Sequence, residues 1–300
     1  MRRLGKAPLI DRLEVLPMFC WRYGLCVLPA AAWLFLLGAG DAAPREENVK
    51  PIRALLVTGG PYHDYAKQKD ILSKGISVRA HVEWTIAYDP VHDLEQGKKH
   101  LNPVFEKADW AKGFDVVVHD ECCSGVTDEA ILARILEPHR QGLPAVVLHC
   151  GMHSYRTEGW DKGKITPWFE FTGLPSTGHG PRRPIAITFT DKDNPITKDL
   201  TDWTTGDEEL YNNSMGKVLD TAHPLARGKQ KVRGRDGKER TDDFVVVWTN
   251  LYKGKTRVFA TTLGHTNETV ADGRYLDLVT RGLLWAVDKL DEAHLKAAAK

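Results

Sequence analysis

Residues 114–150 read FDVVVHDECCSGVTDEAILARILEPHRQGLPAVVLHC and contain two apolar runs with a helical pattern between them. The runs FDVVVH (114–119) and AVVLHC (145–150) are short and continuous, which is typical of buried strands. Residues 127–129 (TDE) have the residue types that commonly begin a helix. The apolar face of that helix comprises Ile131, Leu132, Ile135 and Leu136. A strand, a helix and a second strand joined by short connections predict a parallel α/β sheet.

The same alternation is present in the residues before this unit. IRALLVTG (52–59) predicts another buried strand, which two glycines close. Apolar residues at helical spacing follow over 65–76, and HVEWTIAYD (81–89) alternates with period two, as a strand with one wetter face does. Residues 90–110 are polar and irregular, with one helical turn expected at 104–108. This part of the chain therefore predicts a doubly wound sheet.

The pattern changes after residue 150. Residues 151–183 are rich in Gly, Trp and Pro, and predict a long functional loop with a short helix at 167–171. The charged segment 227–243 predicts a solvated hairpin tip. Further strands are expected at 184–190, 218–223, 244–252 and 256–263, the last antiparallel to the one before it, and a final helix at 274–290. The predicted fold class is α/β, with a mostly parallel sheet flanked by helices and antiparallel strands near the C-terminus.

Composition and charge restrict the class of partner. The chain has 42% hydrophobic and 27% charged residues, as an ordinary globular protein does. Its formal net charge is +1, so it lacks the strong basic field of a nucleic-acid-binding protein. No nucleic-acid partner is therefore expected, and a small molecule is the predicted ligand.

The N-terminus has the features of an export signal. Basic residues precede LCVLPAAAWLFLLGA (25–39), an apolar run shorter than the roughly 20 residues that a membrane span needs. We predict a signal peptide over 1–43, a linker over 44–51, one domain over 52–290 and a tail over 291–300. The protein would then be periplasmic or secreted. The alternative is an uncleaved segment that anchors it to a membrane, and the oligomeric state is not predicted.

Four histidines lie at the ends of apolar strands. They are His63, His119, His149 and His265. In open α/β sheets, ligands bind outside the carboxyl ends of the strands. A row of imidazoles at that edge predicts a polar site that could hold a metal.

Seven short motifs occur in order along the chain and resemble those of the ThuA-like (trehalose utilisation) family. They are Gly59–Gly60–x–x–His63, Leu148–His149–x–Gly151, Asn194–Pro195–Ile196–Thr197, Glu209–Leu210–Tyr211, Gly254–Lys255–x–Arg257–Val258–Phe259, Leu263–Gly264–His265 and Arg281–Gly282–Leu283–Leu284–Trp285–Ala286. The resemblance covers roughly residues 52–289. It implies a flavodoxin-like fold similar to the class I glutamine amidotransferases, and a role in carbohydrate metabolism.

Two kinds of chemistry are open at the histidine-rich edge. The first is a divalent metal (zinc, manganese or iron) bound by imidazoles and a carboxylate. Its predicted ligands are His63, His149, His153, His265 and Glu121, with His149 and His153 on one face if Cys150 begins a helix. The second is metal-free acid–base chemistry, with catalytic residues His63, His149 and Glu209.

Cys150 occupies the position at which amidotransferases carry a nucleophilic cysteine. A nucleophile elbow needs small residues two positions away on each side, whereas this chain has Leu148 and Met152 there. A Cys150-dependent hydrolase therefore remains only an alternative. Cys122 and Cys150 follow strands that could be neighbours, so a disulfide between them is geometrically possible.

Five residues are predicted to bind substrate. They are Gly59, Gly60, Trp168, His179 and Tyr211. The glycine pair would let the backbone approach a sugar or metal, but it lacks the third glycine of a dinucleotide fingerprint, so no nucleotide is expected. The indole of Trp168 would stack on a sugar ring, or else pack the long loop onto the sheet. His179 lies between two glycines, and Tyr211 belongs to one of the matching motifs.

Together these features predict an exported protein that binds and processes a sugar or keto-sugar. An isomerase, or a lyase that enolises a keto-sugar, would use a base together with an electrophile. Two other classes remain open, a non-catalytic carbohydrate-binding protein and the Cys150-dependent hydrolase.

Overall fold

The computed structural model describes residues 49–91, 93–234 and 237–296. The predicted signal peptide lies outside these residues. The described strands are β1 (Ile52–Gly59), β2 (Val82–Asp89), β3 (Val116–Glu121), β4 (Ala145–Leu148), β5 (His179–Phe189), β6 (Trp203–Tyr211), β7 (Ala222–Arg233), β8 (Glu239–Tyr252) and β9 (Thr256–Thr261). The described α-helices are α1 (Tyr65–Ser77), α2 (Leu94–Lys99), α3 (Glu129–Gln141), α4 (Pro167–Thr172), α5 (Asn267–Ala271) and α6 (Gly273–Ala286). Within the ranges given above, no helix is long and apolar enough to cross a bilayer.

The strands form one sheet in the order β2-β1-β3-β4-β9-β8-β7-β5-β6. The first five strands in this order are parallel. From β9 onward each neighbouring pair is antiparallel. The predicted α/β fold class is therefore confirmed, including the antiparallel strands near the C-terminus. Because β1, β3, β4 and β9 are parallel neighbours, the loops that follow them meet at one edge.

The sheet has a hydrophobic core on each face. Side chains of successive strand residues point to opposite faces, so Val146 joins one core and Val147 the other. The first core packs against α1 and α6, and the second packs against α3 and α4. Burial on both faces explains why the central strands are continuous apolar runs.

The helix predicted after 127–129 is α3, and its ends follow from its sequence. The side chain of Asp128 accepts hydrogen bonds from the backbone N–H groups of Ala130 and Ile131, which satisfies two donors of the first turn. Gly142 ends the helix in the left-handed region, with φ 117°. This turn directs the chain into β4.

Some elements differ from the sequence-based expectation. The strand expected at 218–223 is β7, which begins only at Ala222 and continues to Arg233. Consequently the charged segment 227–243 is mostly paired strand, with Arg227 opposite Val245 and Arg233 opposite Glu239. The pairing of β7 with β8 extends as far as Arg233 and Glu239. The charged residues Lys229, Lys231 and Arg233 alternate with buried residues of β7, so their side chains lie on the exposed face of the strand.

Three elements, β6, α2 and α5, were not predicted. The middle of β6 is Gly206–Asp207–Glu208–Glu209, so the strand lacks the apolar alternation that identifies strands in a sequence. Helix α2 (LEQGKK) has a single apolar residue and is almost entirely exposed. β6 and α2 form through contacts with the rest of the domain, which local sequence does not reveal.

Candidate functional site

Three of the strand-end histidines meet at the carboxyl edge of the sheet. His63 follows β1, His149 follows β4 directly and His265 follows β9. One ring nitrogen from each lies within 4.8 Å of those of the other two. The ring centroids are 4.7 Å apart for His63 and His149, and 4.8 Å apart for His63 and His265. We call these three residues the histidine cluster.

Glu209 of β6 reaches the same point from the antiparallel part of the sheet. Its Oε2 atom lies 3.2 Å from Nδ1 of His265 and 3.8 Å from Nε2 of His149. Its Oε1 atom lies 3.6 Å from Nδ1 of His179. Burial raises the pKa of Glu209, but the neighbouring histidines outweigh this effect and the net shift is downward. A carboxylate therefore lies beside the histidine cluster at neutral pH.

The backbone partner of His149 fixes which tautomer its neutral ring adopts. Its Nδ1 atom lies 2.7 Å from the carbonyl oxygen of Thr262. Because a carbonyl only accepts, Nδ1 must donate, which leaves the Nε2 lone pair directed at the site. Burial lowers the pKa of His149 well below its ordinary value, so the ring is neutral. This arrangement, in which a carbonyl orients an imidazole with a free lone pair, is common behind metal-ligating histidines.

His63 is also neutral at physiological pH. Burial, with a further contribution from the charge of His265, lowers the pKa of His63 to about 4. The Nδ1 atoms of His63 and His265 are buried and have no hydrogen-bond partner among the described residues. Nδ1 of His265 is close to Glu209 but is not aligned for a hydrogen bond. Unsatisfied buried nitrogens are costly, and two of the three histidines in the cluster carry one.

His265 is held by two residues that sequence reasoning missed. Glu208 lies on the opposite side of β6 from Glu209, and its Oε1 accepts a hydrogen bond of 2.9 Å from the backbone N–H of His265. Arg182 of β5 lies with Nη1 3.2 Å from Nε2 of His265. Glu208 could have been found from strand alternation, had β6 been recognised. No motif or spacing near Arg182 in the sequence indicates that it contacts His265.

The cluster opens into a cavity of about 520 Å³. Its walls include His63, His265, Glu209 and Tyr211, together with residues from the long loop after β4. A larger cavity of about 860 Å³ lies at the opposite ends of the strands, beside Ile52. Among the residues that the structure describes, the only group of His, Cys, Asp and Glu positioned to hold a metal is the histidine cluster. We therefore place the candidate site in the smaller cavity.

Comparison with known proteins agrees with this fold and with the motifs. A family model described as ThuA, trehalose utilisation, matches residues 53–286. The chain belongs to the ThuA family. Similar solved structures include a putative ThuA-like protein from Parabacteroides merdae, at 21% identity and a TM-score of 0.55, covering 79% of this chain and 90% of that one. Another, from Bacteroides uniformis, has 16% identity and a TM-score of 0.54, covering 84% of this chain and 98% of that one.

At these identities the two structures support the ThuA-like fold alone. No curated protein matches the chain. The family resemblance inferred from the motifs is thus confirmed, while the residues of the site must be judged from their own geometry.

Two predicted metal ligands of this ThuA-family protein are not part of the cluster. Residues His149–His153 form one 3₁₀ turn, in which residues four apart do not share a face. His153 instead stacks on Tyr211 at 4.0 Å, and its Nε2 lies 2.9 Å from Oγ of Ser176. Glu121 points to the opposite side, where its Oε1 lies 2.8 Å from Nδ1 of His119. Strand alternation in β3 separates Glu121 from the site.

Trp168 does not have the substrate-binding role that the sequence suggested. Its side chain is buried against Tyr155 and Phe171, and its Nε1 donates to the carbonyl of Gly151. The indole has no face open to a sugar. It packs the long loop onto the sheet, which is the alternative that the sequence left open.

Gly59 and Gly60 also have a different use from the predicted one. Both have positive φ, and a Cβ atom on Gly60 would lie 2.8 Å from the carbonyl oxygen of Cys122. A Cβ on Gly59 would collide with the backbone of Asp89. The glycines therefore permit close packing of the backbone after β1 against neighbouring strands, and neither is among the residues that line the cavity.

His179 and Tyr211 do line the cavity. Tyr211 is buried, and its hydroxyl lies 3.4 Å from Nε2 of His149. Burial raises the pKa of Tyr211 well above its ordinary value, so the hydroxyl keeps its proton. It can therefore donate a hydrogen bond toward the cluster or toward a ligand.

Cys150 is joined to Cys122 by a disulfide, and both residues lie in the cavity wall. The bridge links the segments that follow β3 and β4, as the predicted strand order allows. A sulfur atom in a disulfide is not a free thiolate, so Cys150 is no nucleophile in this structure. The remaining described thiol, Cys123, is buried, and burial raises its pKa well above the ordinary value.

Proposed function

We propose that this ThuA-family protein processes a sugar or keto-sugar at the histidine cluster, with Glu209 as an acid–base group and a divalent metal bound to the imidazoles. The observation that carries the proposal is the convergence of three ring nitrogens within 4.8 Å. Two buried Nδ1 atoms there have no hydrogen-bond partner in the described part of the chain. The family's connection with trehalose utilisation supports a sugar as the substrate.

The donor set fits a transition metal. Neutral imidazoles suit zinc, manganese and iron, and three of them leave a position open for the substrate. His149 offers Nε2 because Thr262 occupies its Nδ1. Burial keeps His63 and His149 neutral, so neither has to lose a proton before it binds a metal at neutral pH.

The proposed reaction begins with proton removal beside a carbonyl group. A bound metal would polarise the carbonyl oxygen of the substrate. Glu209 takes the proton from the adjacent carbon, the electron pair of that C–H bond forms the new C=C bond, and the π pair of the carbonyl moves onto its oxygen. In an isomerase the hydroxyl on the deprotonated carbon passes its proton to the enolate oxygen and becomes the new carbonyl, and the abstracted proton returns to the former carbonyl carbon. In a lyase the enolate re-forms the carbonyl, and the substituent on the β-carbon leaves with its bonding electrons and takes up the proton.

One contact favours a second candidate, metal-free acid–base chemistry. Nη1 of Arg182 lies 3.2 Å from Nε2 of His265. An arginine only donates, so Nε2 then accepts and the ring hydrogen lies on Nδ1, facing Glu209. His265 and Glu209 would form an acid–base pair in that state. Coordination of a metal by Nδ1 of His265 instead requires Arg182 to move away.

Export is part of the proposal. It rests on the apolar run 25–39 in the sequence and on the Cys122–Cys150 disulfide, since disulfides persist mainly in oxidising compartments. N-terminal sequencing of the protein recovered from the periplasm or medium tests it. A chain that retains its first residues in a membrane fraction would show an anchor instead.

Elemental analysis of the purified protein, combined with turnover of a keto-sugar, tests the proposed chemistry. The wild type and His223→Ala should contain stoichiometric metal, whereas His265→Ala should not. His223 is a suitable control because it is exposed and paired with Asp191 outside the cavity. A chelator should abolish turnover of the wild type.

Other outcomes identify the competing classes. Turnover without metal that is lost in Glu209→Gln would establish metal-free acid–base chemistry. Sugar that is bound but never consumed, with only modest weakening in His149→Ala, would establish a non-catalytic binding protein. Circular dichroism spectra show whether each variant is folded.

A further inference from the structure

An arginine without a carboxylate partner lies in the wall of the cavity. Arg156 belongs to the long loop after β4 and is half-buried. Its guanidinium lies over the ring of Trp160 at 4.1 Å. Its Nε atom is buried and has no hydrogen-bond partner among residues 49–91, 93–234 and 237–296. Trp160 orients the guanidinium without satisfying its donors.

Several other arginines form ion pairs, which Arg156 does not do within the described part of the chain. Arg53, Arg227 and Arg274 each form an ion pair with an aspartate. Within the described ranges, no carboxylate lies at ion-pair distance from Arg156, and burial lowers its pKa. A partly desolvated cation is unfavourable unless an anion compensates it. The missing anion would come from the ligand.

Other donors in the same wall are already occupied. The backbone N–H groups of Thr177 and Gly178 both donate to Oδ1 of Asn212. They therefore cannot form a backbone site for an anion, although both residues line the cavity. Arg156 is thus the cation in this wall whose donors are free.

We propose that Arg156 is a specificity-determining residue that binds an anionic group of the sugar, a carboxylate or a phosphate. The inference rests on the proposed function, because it takes the sugar to occupy the cavity above the histidine cluster. A guanidinium can hold either anion with two parallel hydrogen bonds. A single arginine matches the single charge of a carboxylate, so a sugar acid is the substrate class that this geometry favours.

Equilibrium binding by calorimetry tests this inference with three probes, D-glucose, D-glucuronate and D-glucose 6-phosphate. The full protein should bind at least one anionic probe about tenfold or more tightly than glucose, as expected for a charge-assisted hydrogen bond. Arg156→Gln should reduce that affinity to the level of glucose and leave glucose binding unchanged. Arg156→Lys, which retains the charge but not the planar fork, should lie between the two.

A matched control is Arg134→Gln, which removes an exposed arginine of α3 outside the cavity and should retain the full preference. Tighter binding of glucuronate than of glucose 6-phosphate identifies a carboxylate as the recognised group, and the reverse order identifies a phosphate.

Three results would overturn the inference. They are equal affinity of the wild type for all three probes, no binding of any probe, and an anion preference that survives in Arg156→Gln. Its failure can be distinguished from failure of the proposed function. Stoichiometric metal and turnover without anion preference would refute only the role of Arg156. Anion preference in a protein whose cluster variants retain full turnover would refute only the role of the cluster.

Discussion

A second group of histidines lies away from the cavity, in a buried chain of hydrogen bonds. The hydroxyl of Tyr155 donates to Oε1 of Glu121, which lies 2.8 Å from Nδ1 of His119. Nε2 of His119 lies 3.2 Å from Nε2 of His139, and Nδ1 of His139 donates to the carbonyl of Leu143. Because that carbonyl only accepts, the free lone pair of His139 must accept from His119. Glu121 and His119 are therefore used within the core.

Stability should fall in mild acid because of His139. Burial, reinforced by His119, lowers the pKa of His139 from 6.5 to about 3. Below 6.5 the unfolded chain binds a proton at His139 that the folded protein excludes, so this contribution to stability is full above 6.5 and decreases as pH falls toward 3. Linkage gives about 2 kcal/mol lost from His139 between about pH 7 and about pH 5.

Urea unfolding of the wild type, His139→Gln and His81→Gln at these two pH values measures the effect. His81→Gln is a control from outside the buried chain and should keep the wild-type pH dependence. His139→Gln should show a smaller loss in acid, whatever its stability near neutrality. The same loss in His139→Gln and in the wild type would show that His139 does not cause it.

For single residues, the position relative to the end of a strand was the feature of the sequence that predicted the histidine cluster. His63, His149 and His265 come together because parallel neighbouring strands end at one edge. Glu121 belongs to a strand that ends at the same edge, but its side chain points to the other face. Arg156 and Arg182 lie in irregular or poorly patterned segments, so their approach to the site depends on tertiary contacts that a single sequence does not display.

Among the elements, the connection from β1 to α1 depends most on backbone geometry. Gly60 has φ +117°, and a Cβ there would meet the carbonyl oxygen of Cys122 at 2.8 Å. Gly142, at the end of α3, has the same φ of +117° but no atom within 4 Å of the position of a Cβ. The two glycines therefore differ in available space and not in backbone angle.

Gly60→Ala should destabilise the protein by about 1–3 kcal/mol more than Gly142→Ala. An alanine is strained by the positive φ at either position, but only at residue 60 does its methyl group also clash with a carbonyl oxygen. The free energies of unfolding in urea give the comparison. Equal losses in the two variants would mean that the chain after β1 can shift to accept a methyl group. Since His63 lies three residues beyond Gly60, the same shift would move the cluster.

The elements that sequence analysis found and missed differ in their local pattern. β1, β3 and β4 are continuous apolar runs because helices cover both faces of the sheet around them. β6 has three consecutive polar or charged residues before Leu210, so no period identified it. Its place in the sheet comes from pairing with β5, in which Arg182 lies opposite Glu209.

At the scale of the whole molecule, the site requires both parts of the sheet. The parallel strands supply the three imidazoles, and the antiparallel strands supply Glu209, Tyr211 and His179. The parallel part could be predicted because each strand and helix follows its neighbour in sequence. The hairpin of β7 and β8 was expected around 227–243, whereas the pairing of β5 with β7 was not, because β6 lies between these two strands along the chain and no pattern identified β6.

The most direct test of the central claim is a crystal structure with diffraction data collected at the absorption edges of zinc, iron and manganese. We predict an anomalous peak about 2.0–2.2 Å from one ring nitrogen each of His63, His149 and His265, with Arg182 turned away from Nε2 of His265. A map without a peak at the cluster, in which Arg182 still donates to His265, would contradict the metal site and leave the acid–base pair of His265 and Glu209 in its place.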